Sequence, residues 1–272
     1  MKRSSSFTKN AISIATRPDI WRDYAAWLLA ALRGKPAELE ILDCMISGFP
    51  NFSSYLGARR HAPTNDEIEL VRECLSGARV IFDVGANFGA FAIPFSTLVP
   101  QARIFAFEPN PQTAHALRRN LLMNDAGNVT VIEAIISDRN GMLGFSNSRD
   151  PATNRIIDDP SAGCAVRSIT IAEFCRDNEI GQIDFLKIDV EGAEILVLEG
   201  ARPLFEKGNV RGGMIEVCPG NLRNFGNLVQ DLKDFFDSNG YSLEVIGGNH
   251  GEPPSEGVRL ANAIFRSSSE PL

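Results

Sequence analysis

Three acids stand where short apolar runs end, each with a turn close behind. Asp83 follows Val80-Ile81-Phe82 and leads into Val84-Gly85-Ala86-Asn87-Phe88-Gly89. Glu108 closes Arg103-Ile104-Phe105-Ala106-Phe107 and is followed by Pro109-Asn110-Pro111. Asp189 closes Phe185-Leu186-Lys187-Ile188 and is followed by Val190-Glu191-Gly192. Such runs read as buried strands, and in open α/β sheets ligands bind outside the carboxyl ends of the strands. Gly85 and Gly89 can take backbone angles closed to other residues and let a ligand approach the main chain. The dinucleotide fingerprint G-x-G-x-x-G does not fit, because its second and third glycines would fall on Asn87 and Ala90. A carboxylate ahead of the turn repels a pyrophosphate and suits a ligand that brings a cation or an amino group. That chemistry points away from NAD and towards S-adenosylmethionine, with a ligand-free strand-helix turn as the plainer alternative. Glu108 lies 25 positions after Asp83, near the roughly 20 expected for a ribose-binding acid. A carboxylate can accept from both ribose hydroxyls at once.

Asp189 faces the same crevice, where it can orient or deprotonate an acceptor. Lys187 precedes it by two, so on a strand both side chains share a face; Lys187 pairs with Asp189 or Glu216, or takes part in catalysis. Glu191 stands at a helix N-terminus, where the dipole favours its charge, so capping competes with a catalytic role. Asp189, Glu191 and Glu216 could together offer oxygens to Mg²⁺, although their spacing is no established metal signature. His61 and His250 are further candidate bases in loops, and His115 reads as a surface residue of a helix.

The elements that must hold these groups alternate between strand and helix. Thr64-x-x-Glu67 is a capping box and opens a helix with Ile68, Val71 and Leu75 on one face. Asn110 caps a helix with Pro111 at its first position, and Ala114, Leu117 and Leu121 form its buried stripe. Val129–Ile136 reads as a third strand, Met142–Phe145 as a small extra one, and residues 147–163 as a surface excursion that can carry specificity. Thr170-x-x-Glu173 is a second capping box. The helix after Gly192 is expected to be disrupted at Pro203. Arg211–Val217, Tyr241–Ile246 and Leu260–Phe265 complete the strands, with a helix marked by Leu228, Leu232, Phe235 and Phe236 between the first two.

Residues 1–63 precede this alternation. Trp21, Ala25 and Leu28, then Leu39, Leu42 and Ile46, keep helical spacing. The segment therefore reads as a helical extension, a lid or a dimer contact, with a surface-lying amphipathic helix as the sharper alternative at Ala25–Leu32. Residues 48–63 read as irregular, with Phe49, Phe52 and Tyr55 either lining an acceptor pocket or covering a core.

Composition narrows the partners. The net charge of −7 offers nucleic acid no attractive field. No apolar run reaches the roughly 18–20 residues that span a membrane. Five cysteines without a C-x-x-C pair fit a reducing cytoplasm better than a disulfide or zinc framework. No linker divides residues 64–272.

Taken together, DVGANFG (83–89), AFEPNP (106–111) and LKIDVEGAE (186–194), with MIEVCP (214–219), resemble the FkbM-type family of S-adenosylmethionine-dependent methyltransferases. The resemblance covers roughly Thr64 to Val217. It implies an α/β, Rossmann-like methyltransferase fold, with a seven-stranded, mostly parallel sheet, a reversed last strand and helices on both faces. It also implies O-methylation of a hydroxyl on a sugar, glycan or natural-product small molecule, without naming the acceptor. By the same resemblance, Asp83, Gly85, Ala86, Asn87 and Gly89 lie along the methionine part of the cofactor, and Asp189 borders it. Glu108, with Pro109 and Asn110, binds the ribose. Glu133, Ala134 and the Ser137-Asp138 turn lie near the adenine. Two rivals remain: a non-catalytic Rossmann-like binding or scaffold module, and an NAD-dependent oxidoreductase.

Overall fold

Alternation along the central strands sets up two apolar faces that helices must cover. A computed structural model describes residues 18–60, 62–146, 154–157, 163–246 and 261–268. In chain order the elements are α1 (Pro18–Leu32), β1 (Leu39–Ile41), β2 (Cys44–Ile46), α2 (Phe52–Arg60), α3 (Asn65–Cys74), β3 (Val80–Val84), α4 (Ala92–Leu98), β4 (Arg103–Phe107) and α5 (Pro111–Met123). They continue with β5 (Val129–Ile132), β6 (Ile135–Ile136), β7 (Gly141–Phe145), β8 (Ile156–Ile157), β9 (Cys164–Ile169), α6 (Ile171–Asp177), β10 (Phe185–Ile188) and α7 (Glu194–Phe205). Last come β11 (Gly212–Val217), α8 (Pro219–Asn224), α9 (Val229–Ser238), β12 (Tyr241–Val245) and β13 (Ala261–Ser267).

The main sheet has seven strands in the order β12-β13-β11-β10-β3-β4-β5. All neighbours run parallel except β13, which is antiparallel to both β11 and β12. This is the reversed strand that the family resemblance implies. The order turns back between β3 and β10, the switch point where open α/β sheets bind ligands. Phe82, Val84, Phe105 and Phe107 pack with α6, α7 and α9 on one face. Ile81, Ile104 and Ala106 pack with α3, α4 and α5 on the other. A smaller sheet, β6-β9-β7-β8, flanks the cleft.

Several local readings change. The expected helix around Leu39–Ile46 is the hairpin β1–β2. Leu42 and Asp43 both take positive φ, +50° and +63°, as a two-residue hairpin turn requires. The i, i+3, i+7 count misled because Leu42 belongs to that turn. Residues 52–60 are helical rather than irregular, and Asn51 supplies the start signal by accepting from the Ser54 N–H at 2.9 Å. Helix α1 exists, but Trp21 and Leu28 are exposed, while Ile20 and Asp23 are buried. Its inward face lies one position off the expected stripe because Asp23 turns in to pair with Arg59 of α2. Residues 1–63 are thus helix, hairpin and helix where described. The third strand breaks at Glu133-Ala134 into β5 and β6, which join different sheets. Pro203 sits inside α7 without ending it; near the C-terminal turn its missing N–H leaves few carbonyls unpaired. Thr170 accepts from the Glu173 N–H, but its own N–H donates to Asn140 rather than to Glu173. The Thr64 capping box forms in full.

Candidate active site

The glycine turn is a close contact between two loops. Gly85 has φ +83°, and a Cβ there would collide with the backbone carbonyl of Asp189. The Asp189 N–H in turn donates to the Val84 carbonyl at 3.0 Å. The N–H groups of Gly85 and Ala86 both donate to the Phe107 carbonyl, each at 3.0 Å. The ends of β3, β4 and β10 are therefore tied into one floor. Gly85→Ala is expected to destabilise the fold by at least about 2 kcal/mol, a fall in Tm of roughly 4–8 °C. A melting curve that matches wild type would contradict this packing.

Glu108 stands at the end of β4, 7% exposed. Its Oε2 accepts from the Asn87 N–H at 3.0 Å, and its Oε1 accepts from the Asn110 N–H at 2.9 Å. Asn87 reaches this position at φ +49°, a conformation that asparagine tolerates better than most residues. Asn110 caps α5, its side chain accepting from Gln112 and Thr113. Each carboxylate oxygen has capacity for a second donor. Burial pushes the Glu108 carboxyl up to about 7, against the pull of those two backbone donors.

Lys187 and Asp83 are register partners on adjacent parallel strands, so their side chains share a face. Lys187, 2% exposed, stands 3.5 Å from Asp83 and donates to Asp189 Oδ2 at 3.1 Å. Its ammonium also lies over the Phe91 ring, 4.6 Å from the centroid. Burial opposes the lysine's charge, but Asp189 and Asp83 together outweigh it and hold its pKa above the ordinary range. Asp83 is fully buried, and desolvation raises its pKa despite Lys187. It lies beneath the cleft rather than along it. This corrects its expected place beside the cofactor: alternation along β3 turns residue 83 towards α4. Two carboxylates share one ammonium here.

Asp189 is partly open, its side chain 16% exposed. It begins a turn in which Glu191 has φ +57° and Gly192 φ +107°. Glu191 borders the cleft and accepts from Asn221 of α8 at 2.9 Å. Glu191 does not stand at the cap of α7, whose N-cap is Ala193, and Glu194 accepts from the Val190 and Gly192 N–H groups, which precede the helix. Sequence reading missed Glu194 because its position inside the helix start looked ordinary; its place at N1 of α7, two residues after a glycine, was the available signal.

These groups surround a cleft that opens to solvent, with about 950 Å³ of space when its open mouth is counted. Gly85, Ala86, Asn87, Glu108, Pro109 and Ala134 line it, as do Lys187, Asp189 and Glu191. The far wall holds Gly57 and Ala58 of α2 with Phe145, Asn154 and Ile156. Phe49 and Tyr55 pack against core neighbours, Phe49 edge-on to Phe88 at 4.9 Å. The small residues of α2, not its aromatics, meet the cleft. Gly89 lies under it, its missing Cβ making room for Ile93 and Leu117. Glu133 does not line the cleft; it pairs with Arg118 at the surface, because the break after β5 turns it outward. Ser137 is buried, bonds to Asp138, and backs onto Gly200 rather than the cleft. Asn110 acts through Glu108. Glu216 is buried on β11. Among the described residues no three His, Cys, Asp or Glu side chains gather closely enough to hold a metal ion. His115 is exposed on α5, and His61 and His250 lie outside the described residues.

The methyltransferase FkbM domain matches residues 83–243. The 2-O-methyltransferase NoeI of Sinorhizobium fredii is 30% identical, aligned over 47% of this chain and 59% of that one. The hexuronic acid methyltransferase AglP of Haloferax volcanii is 32% identical over 50% and 55%, and the methyltransferase sdnD of Sordaria araneosa is 33% identical over 44% and 59%. The alignments span only 55–59% of these relatives' lengths. Among the described residues no helix is long and apolar enough to cross a membrane.

Proposed function

The chain belongs to the FkbM methyltransferase family, and from that premise we propose that it is an S-adenosylmethionine-dependent O-methyltransferase. Its acceptor is a hydroxyl on a sugar, glycan or natural-product small molecule. One observation carries the cofactor assignment: Glu108, held by two backbone donors, presents both oxygens at a strand end beside a glycine turn. The second lone pair on each oxygen suits the two hydroxyls of a ribose. The side-chain Oδ1 of Asn87, buried and without a protein partner at the cleft wall, suits a donor such as an amino group. The missing Cβ of Gly85 lets the Asp189 backbone pack directly against the glycine turn. These residues fit the cofactor; Gly85 to Asn87 would hold its methionine part, Glu108 and Pro109 its ribose, and Ala134 its adenine.

When bound, S-adenosylmethionine supplies a methyl group already activated on sulfur. The protein then has to align the acceptor, and the entropic gain from alignment is large. Lys187 engages Asp189 Oδ2, so Oδ1 is the oxygen this reading gives to the acceptor hydroxyl. Asp189 would orient that hydroxyl and take its proton, a contribution of roughly 10²–10⁴-fold. Lys187 fixes the carboxylate, while Asp83 behind it balances the ammonium. Glu191 borders the acceptor side, where Asn221 holds it. Two relatives support a sugar hydroxyl by name, one as a 2-O-methyltransferase and one as a hexuronic acid methyltransferase. The negative net charge argues against nucleic acid as the acceptor. Five free cysteines suit a reducing compartment, which favours the cytoplasm.

Methyl-labelled cofactor, incubated with panels of sugars, glycans and polyketide alcohols, tests the reading. Labelled product with at least one class, formed about a hundredfold or more slowly by Asp189→Asn, is the expected result. Cofactor binding without transfer to any class would favour the scaffold role.

Ionisation of Glu108 adds a pH signature. Ribose hydroxyls donate to the carboxylate, so binding requires its charged form. Its pKa of about 7 lies above the ordinary value, so protonation weakens binding on the acid side. Affinity is expected to tighten about tenfold between pH 6 and pH 8. Glu108→Gln should lack this component; an identical profile in the variant would contradict the assignment.

A further inference from the structure

Glu194 is 2% exposed and lies outside the cleft lining, yet its bonds reach the cleft. A single oxygen, Oε1, accepts from the Gly192 N–H at 3.0 Å and from the Val190 N–H at 3.3 Å. Those two donors flank Glu191, whose positive φ makes the turn conformationally costly. On its other side the turn rests against α8: the Asn221 side chain donates to Glu191, and a Cβ on Gly192 would strike the Asn221 carbonyl. One residue before the turn, the Asp189 carbonyl fills the space where Gly85 lacks a Cβ. A shift of the 190–192 turn therefore moves both Asp189 and the ceiling over Gly85.

We propose that Glu194 is a positioning residue that clips the Val190–Gly192 turn and, through the Asp189–Gly85 contact, holds the two halves of the cleft floor in register for the cofactor. This rests on the methyltransferase reading above. Two features fit a clip rather than a charged partner. Burial, reinforced by Glu216 and Asp189, pushes the Glu194 carboxyl up to about 8, which favours its neutral, protonated form. Moreover, both donors meet the same oxygen, the pattern of a carbonyl-like acceptor. An amide has the same shape and the same acceptor, so Glu194→Gln should preserve the clip, whereas Glu194→Ala removes it.

The test compares wild type, Glu194→Ala and Glu194→Gln by calorimetric titration with S-adenosylmethionine and by amide hydrogen exchange at Val190 and Gly192. Glu194→Ala is expected to bind about tenfold or more weakly, with exchange at both amides at least about tenfold faster. Glu194→Gln is expected to rescue both readouts to within about twofold of wild type, which a requirement for charge would not allow. Wild-type affinity and protection in Glu194→Ala would overturn the proposal, as would losses in Glu194→Gln equal to those in the alanine variant. If Glu194→Ala does not fold, the glutamine variant decides alone: loss of affinity or protection in it overturns the clip. If wild type does not bind S-adenosylmethionine, the methyltransferase reading fails, and amide exchange still decides whether Glu194 holds the turn.

Discussion

Replacing Glu108 with alanine is expected to weaken S-adenosylmethionine binding by about 10²–10⁴-fold. The carboxylate would accept two charge-assisted hydrogen bonds from the ribose, each contributing roughly 1.5–3 kcal/mol, and each 1.4 kcal/mol is about tenfold in affinity. The alanine variant also frees the N–H groups of Asn87 and Asn110, which loosens the glycine turn from β4. Glu108→Gln should fall between, because an amide keeps one acceptor oxygen but points its NH₂ at a backbone donor. Calorimetry on all three proteins checks the order. Equal affinities would remove Glu108 from the binding site.

Asp189→Asn is expected to lower kcat by about a hundredfold or more, the range of a lost general base. Cofactor affinity should move by less than about tenfold, since the side chain keeps its size and an oxygen for Lys187. With Asp189 neutral, Lys187 pairs with Asp83 alone at 3.5 Å, so the buried ammonium keeps a counter-charge and the fold is retained. Single-turnover rates at saturating cofactor separate the two effects. Full activity with unchanged binding would exclude Asp189 as the base.

The sequence makes much of this site legible because its parts are local. A strand, an acid at its end and a turn occupy fewer than ten residues, so Asp189, Glu108 and Gly85 could be read directly. The caps at Thr64 and Asn110 are local as well. What was not legible depends on pairing across distance. That Lys187 answers Asp83 follows from the register of β3 with β10, two strands about a hundred positions apart, and no spacing rule yields it. The acid-before-turn argument for a cationic ligand was therefore incomplete, since part of that acid's charge is met within the protein. Glu194 acts through two backbone donors upstream of it, a contact visible only once the turn is folded. In residues 36–60 periodicity failed for another reason. Leu42 sits in a tight turn, and Asn51 capped a helix that aromatic and glycine residues had disguised.

The most direct measurement is calorimetric titration of the wild-type chain with S-adenosylmethionine and S-adenosylhomocysteine, run beside NAD. The account predicts one-to-one binding of the first two and none of NAD, because Glu108 and the Gly85 turn suit a ribose and an amino-acid tail but offer no pyrophosphate cradle. Binding of NAD with neither methionine cofactor would contradict it. Failure of all three to bind would leave the cleft without its cofactor and move the non-catalytic scaffold to the front.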